Sequence, residues 1–159
     1  MWRRSSWFML AMILLLSGGC GGNDRSAGNW MEEGINRFQA GKYGEAVSAY
    51  LRAAEQEPRN PLIHNLLGMA YRFQFNTTGR RRFADKETKA FRRAVELNPR
   101  FLAAVKNLAA TLHRDGDDVG AAQMAKRALG INPNDPERAI LQNWIDLDTF
   151  GKEGSRKVR

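Results

Sequence analysis

Few residues of this 159-residue chain stand where they could do chemistry. The only cysteine is Cys20, in the stretch "LLLSGGCGG" at 14–22, so no disulfide can form within the chain. Its two histidines, His64 and His113, lie 49 residues apart, with no cysteine partner and no metal-ligand spacing. There is no glycine-rich phosphate loop. Ser26 and Ser48 have no base near them in sequence, and the acidic residues are scattered along helical patterns as solvated faces. No catalytic residue, metal site or cofactor is expected. What remains is a thiol, a run of arginines at Arg80, Arg81 and Arg82, and an excess of basic residues, 25 Lys and Arg against 17 Asp and Glu. A formal charge of +8 favours anionic partners.

The position of Cys20 suggests its chemistry. Arg3 and Arg4 precede nine apolar residues, "FMLAMILLL" at 8–16, and then Ser17, Gly18 and Gly19. A charged start, a short apolar run and small residues describe a secretory signal, and the run is too short to span a bilayer, which takes about 20 residues. With Cys20 directly after the small residues, the segment resembles a bacterial lipoprotein signal. That resemblance implies cleavage before Cys20 and acylation of its thiol with chains such as palmitate, although Ser17 stands where that signal usually has leucine. Two or three buried acyl chains, at about 0.8 kcal/mol per CH2, would hold the chain on a membrane. The other reading is a secreted protein with a spare thiol. Residues 1–19 are thus expected to be removed, and 20–28, small and polar, to form a tether. Gly21 after the cysteine, by resemblance to enteric lipoproteins, carries no signal for inner-membrane retention, which favours the periplasmic side of an outer membrane.

The rest of the chain repeats itself. "AVSAYLRAAEQEPRN", "TKAFRRAVELNPR" and "AAQMAKRALGINPND" end alike at Pro58, Pro99 and Pro133; the last interval is 34 residues and the one before it 41, or 34 plus 7. Small residues at Gly34, Gly68 and Ala109, and at Ala53, Ala94 and Ala128, would let helix backbones approach, with Tyr50 and Phe91 filling the space beside them. Asn60–Pro61 and Asp135–Pro136 place a capping side chain before a helix-starting proline. Ile140, Trp144 and Leu147 predict one apolar side for a final helix that covers the end of the stack.

In period and in these positions the chain resembles the tetratricopeptide repeat (TPR) family over about 27–134. The resemblance implies an all-α solenoid of three helix-turn-helix repeats, at about 27–60, 61–100 with a seven-residue insertion, and 101–134. A capping helix at 135–150 and a basic tail at 151–159 complete the expected layout, the folded domain being 29–150. The insertion falls within 72–87 and predicts a longer first helix followed by a protruding basic loop at Arg80, Arg81 and Arg82. Four residues depart from the family pattern: Glu33 and Arg37 replace apolar residues, Ala125 replaces an aromatic in the third repeat, and Glu87 occupies a place for a small one. Glu33 and Arg37 also suggest a rotated first helix.

The family binds on the concave surface of its first helices. Carried over, that surface comprises Met31, Ile35 and Phe38; Asn65, Met69, Arg72 and Phe73; and Lys106, His113 and Arg114. Such a groove, apolar at one end and basic at the other, suits a protein segment with apolar anchors followed by acids. The implied function is a membrane-anchored adaptor of the bacterial cell envelope. Two alternatives stand beside it: self-association into a homo-oligomer, and contact of the arginine run and basic tail (Lys152, Arg156, Lys157, Arg159) with anionic lipid. Nucleic acid is not an expected partner of an exported chain.

Overall fold

The computed structural model describes residues 26–156, with side chains to 149. The signal segment, Cys20 and most of the expected tether lie outside the described residues, as do residues 157–159. Among the described residues there are seven helices and no strand: α1 (Ala27–Gln39), α2 (Tyr43–Gln56), α3 (Pro61–Thr78), α4 (Arg81–Leu97), α5 (Leu102–Arg114), α6 (Asp118–Ile131) and α7 (Arg138–Arg156). They pack in order as three hairpins, α1 with α2, α3 with α4 and α5 with α6. Each hairpin rests on the next, and α7 closes the stack against α6.

Local chemistry sets most boundaries. Ser26 Oγ accepts from the backbone N–H of Asn29 at 3.3 Å, so helix begins at Ala27, inside the stretch expected as tether. Asn60 Oδ1 accepts from Leu62 N–H at 3.0 Å and Pro61 opens α3. Gly41 and Gly116 turn the first and third hairpins with φ of 74° and 83°, which a side chain would strain. Between the helices of a hairpin the contact is glycine against aromatic ring. A methyl group added at Gly34 would collide with the Tyr50 ring, and one at Gly68 would lie 2.5 Å from Phe91. Tyr50 and Phe91 are almost wholly buried, each in one of two hydrophobic clusters.

The insertion makes no loop. Compared with the flanking repeats, α3 has 18 residues against 13, α4 has 17 against 14, and the turn between them has two residues instead of three. Five plus three minus one accounts for the seven. The expected turn at Asn76–Gly79 is helical as far as Thr78, where the Thr77 and Thr78 hydroxyls donate back to the Phe73 and Gln74 carbonyls at 2.9 and 2.6 Å. The helix stops only at Gly79, with φ of 65°. Arg80 therefore caps α4, and Arg81 and Arg82 form its first turn. The expected basic loop is the start of a helix.

The two ends also differ from expectation. Arg37, rather than marking a misfit, bridges Glu33 at 2.6 Å and Glu45 on α2 at 2.8 Å. Among the described residues no earlier hairpin covers this face, and charge stands there in place of the apolar residues of an internal repeat. At the other end, Pro136 and Glu137 form a turn before α7, because the Asp135 carboxylate accepts from Glu137 N–H at 2.8 Å. The buried side of α7 is then Leu141 and Asp148, with Trp144 and Ile145 partly covered. Ile140 and Leu147, expected to share Trp144's covered side, are 51% and 43% exposed. The helix continues to Arg156, into the segment expected as tail.

Candidate functional site: a concave cavity with paired charges

α3, α5 and α7 border a cavity of about 710 Å3 on the inner side of the stack. Phe101, Leu102, Ala103, Ala110 and Trp144 form its apolar walls, and Arg72, Lys106, Asn107 and Glu137 supply its polar groups. Of the ten residues expected in the groove, Arg72 and Lys106 line this cavity. Asn65 is buried beneath it; its amide oxygen accepts from Asn107 at 3.0 Å, and its NH2 faces the Met69 sulfur at 3.8 Å. Met31 and Phe38 pack on the first cluster, while Ile35 and Phe73 are exposed at 39% and 38%. Phe38, Tyr43 and Phe73 make a separate aromatic triangle, with centroids 5.0–5.3 Å apart. The His113 ring lies against Trp144, tilted by 34° with centroids 5.3 Å apart, and contacts Asp118 at 2.8 Å. Arg114 faces away from the cavity, over the Phe75 ring.

Glu87 organises the cations. Its side chain is inaccessible to solvent, yet both oxygens are engaged: Oε1 accepts from Arg72 Nε and Thr111 Oγ1, each at 2.8 Å, and Oε2 accepts from Arg114 Nη1 at 2.6 Å. The longer α3 and α4 bring this pair together. Arg72 also donates to Asn107 Oδ1 at 3.1 Å, to the Asn107 carbonyl at 2.9 Å and to Thr111 Oγ1 at 2.9 Å, with its guanidinium 4.9 Å from the Phe91 ring centre. Arg114 completes its contacts on Asp115 at 3.1 Å. A carboxylate that holds two guanidiniums and a hydroxyl satisfies the condition for burying charge. It ties α3, α4 and α5 into one unit, which is why an acid occupies a place for a small residue.

Lys106 is paired as well, with Asp135 at 2.8 Å and Glu137 at 3.0 Å. Burial pulls the Lys106 ammonium pKa down, but its hydrogen bonds to the two carboxylates outweigh this and raise it. In return the Lys106 hydrogen bond, followed by Glu137 N–H, holds the Asp135 carboxyl below its ordinary value. Each cation at the expected basic end of the groove is therefore paired with a carboxylate. Reading along the chain missed Phe101, Leu102, Ala110 and Glu137 as lining residues. Trp144 was assigned to capping alone, and only the 3.6-residue periodicity of α5 could have suggested Ala103 and Ala110.

Stacked antiparallel hairpins with a concave inner face define a helical-repeat solenoid. Family models described as TPR repeat and tetratricopeptide repeat match residues 36–72 and 89–136, and the chain belongs to the tetratricopeptide repeat family. A similar human protein is the E3 SUMO-protein ligase RanBP2, 30% identical over 122 residues, which cover 76% of this chain and 4% of that one. The RanBP2-like and GRIP domain-containing protein 3 of Homo sapiens is 30% identical over 125 residues, covering 76% and 6%. This chain thus spans a small fraction of these relatives. Among solved structures, the first TPR of Spaghetti (RPAP3) bound to the HSP90 peptide SRMEEVD superposes with a TM-score of 0.67 at 23% identity, covering 78% of this chain and 96% of that one. The Yersinia enterocolitica type III secretion chaperone SycD, in complex with a peptide of the translocator YopD, gives 0.64 at 14% identity, covering 77% and 92%.

Proposed function

We propose that this chain is a protein-interaction adaptor that takes a segment of a partner protein in its concave cavity, and that acylation of Cys20 holds it on a membrane of the bacterial cell envelope. The observation that carries the adaptor reading is the cavity itself: about 710 Å3, open, with apolar walls from α5 and α7 and the Arg72 side chain from α3 at its edge. Peptides bound to two similar folds support the same use. Among the described residues no group of three metal-ligating side chains occurs, and no helix is long and apolar enough to cross a membrane. The anchor rests on the sequence around Cys20.

A photocrosslinking residue at Ala103, in the cells that make the protein, tests the groove. Ala110→Trp, which fills the cavity, should abolish the crosslinked adduct, while Arg52→Glu, on an exposed face of α2, should leave it intact. An adduct that survives Ala110→Trp refutes the cavity as the binding surface. Labelling with an alkyne fatty acid should mark the wild type and not Cys20→Ser; label on both would refute the anchor.

A second reading has its own observation. Arg82, Lys86, Lys89 and Arg93 follow one another at helical spacing on the exposed side of α4, and of these only Arg93 has an ion pair among the described residues, with Glu96 at 3.3 Å. At about 1 kcal/mol per cation near an anionic surface, four would support salt-sensitive lipid contact. Sedimentation with phosphatidylglycerol vesicles, using the unacylated Cys20→Ser chain, should show binding that is lost in Lys86→Glu/Lys89→Glu. Binding that is equal in both variants would refute a role for this face.

A further inference from the structure

We propose that the cavity selects an apolar partner segment carrying a basic side chain, and that it disfavours acidic C-terminal peptides. This rests on the reading of the cavity as the binding site and adds the chemistry of its occupant.

A guanidinium has five N–H donors. Four of those on Arg72 are already directed to Glu87, to Asn107 Oδ1, to the Asn107 carbonyl and to Thr111. Turning Arg72 toward an incoming carboxylate would leave Glu87, inaccessible to solvent, without its nearest cation on α3. Lys106 lies between Asp135 and Glu137, and Arg114 between Glu87 and Asp115. Arg114 faces away, so the cavity's own two cations, Arg72 and Lys106, meet the three carboxylates of Glu87, Asp135 and Glu137, and neither cation is left unpaired. An acidic peptide would meet a surface of its own sign with most of its donors engaged.

The surplus charge sits where a ligand can reach it. The Glu137 side chain is 52% exposed and lines the cavity with Trp144; only its Oε1 contacts Lys106. A lysine or arginine of the partner can pair with Glu137 and lie against the indole, while apolar neighbours fill the space at Phe101, Leu102 and Ala110. The similar fold that holds SRMEEVD takes an acidic peptide; the groove of this chain carries the opposite charge preference.

The test is fluorescence anisotropy on the full chain, with three labelled probes. Two are 12-residue peptides of alternating Leu, Phe and Ser that differ only in one central Lys or Glu, and the third is SRMEEVD. The Lys peptide should bind about tenfold more tightly than the Glu peptide, as expected for a charge-assisted pair. SRMEEVD should bind no more tightly than the Glu peptide. Glu137→Gln should remove most of this preference and Glu137→Lys should reverse it, with helicity checked by circular dichroism because both changes are on a half-exposed side chain. Equal binding of the Lys and Glu peptides, lost in Ala110→Trp, would overturn the charge preference while leaving the cavity as the site. Tight binding of SRMEEVD, or an unchanged preference in Glu137→Lys, would also overturn it. Binding of none of the probes, or binding insensitive to Ala110→Trp, would overturn both the preference and the cavity reading.

Discussion

Glu87 offers a direct test of how the solenoid is held together. Replacing it by Gln keeps the shape and removes the charge, so Arg72 and Arg114 lose the carboxylate that both contact. Breaking a buried ion pair by removing one partner costs about 3–5 kcal/mol. Here the arginines are 23% and 31% exposed and keep Asn107, Thr111 and Asp115 as partners, so the loss falls at or just below the lower limit, about 2–3 kcal/mol. For a chain of this size each kcal/mol shifts the midpoint by about 2–4 °C, so Tm should fall by roughly 4–12 °C. Thermal unfolding followed by circular dichroism reads this, and urea titration gives the free energy independently. Because the pair is buried, raising NaCl from about 0.1 to about 1 M should leave the difference largely unchanged. The double variant Arg72→Met/Glu87→Met should recover much of the loss of Glu87→Met alone, since apolar groups of similar size can replace a buried pair. A Glu87→Gln chain within about 0.5 kcal/mol of the wild type, the range of an ordinary surface change, would refute the view that this carboxylate joins the second and third hairpins.

Gly68→Ala gains about 1 kcal/mol of helix propensity, but its methyl lies 2.5 Å from a fully buried Phe91 ring. Overpacking costs about 1–3 kcal/mol, so chemical denaturation should show a net loss; a more stable variant would show that the ring yields. Asp135, whose pKa is held down by Lys106 and by Glu137 N–H, contributes stability that is present above the unfolded value of about 3.9 and is lost as pH falls through its lower folded value. Asp135→Asn should flatten that acid limb in a series of pH-dependent melts, and an unchanged limb would refute the assignment. Burial pushes the Tyr50 phenol up to about 12, so its contribution is complete below pH 10 and falls between there and about 12. Tyr50→Phe should weaken this alkaline loss when folding is monitored against tyrosinate absorbance; an identical loss would show that other groups cause it.

The repeat was legible because its signals are local. Prolines 34 residues apart, small residues opposite Tyr50 and Phe91, and the Asn60–Pro61 start each act within one hairpin, so periodicity and capping were enough to place the hairpins. The insertion was placed correctly within 72–87 and its longer first helix is present, but its end was read as a loop because Asn, Thr and Gly in a row favour a turn, whereas here the residues to Thr78 stay helical. The covered face of α7 was assigned one residue out, because Leu141, Ile145 and Asp148 turn toward the stack, and that is set by how α7 docks on α6.

The character of the groove depended on contacts between distant parts of the chain. Arg72 meets Glu87 across 15 residues, Asn107 across 35 and Thr111 across 39, and Lys106 meets Asp135 across 29. Read singly, Arg72, Lys106 and Arg114 are free cations, and that is why a basic groove was expected. Which carboxylate each one meets is decided by how far α3 and α4 extend and how each hairpin turns on the next. Those quantities come from the summed packing of many side chains, and no short stretch of sequence contains them.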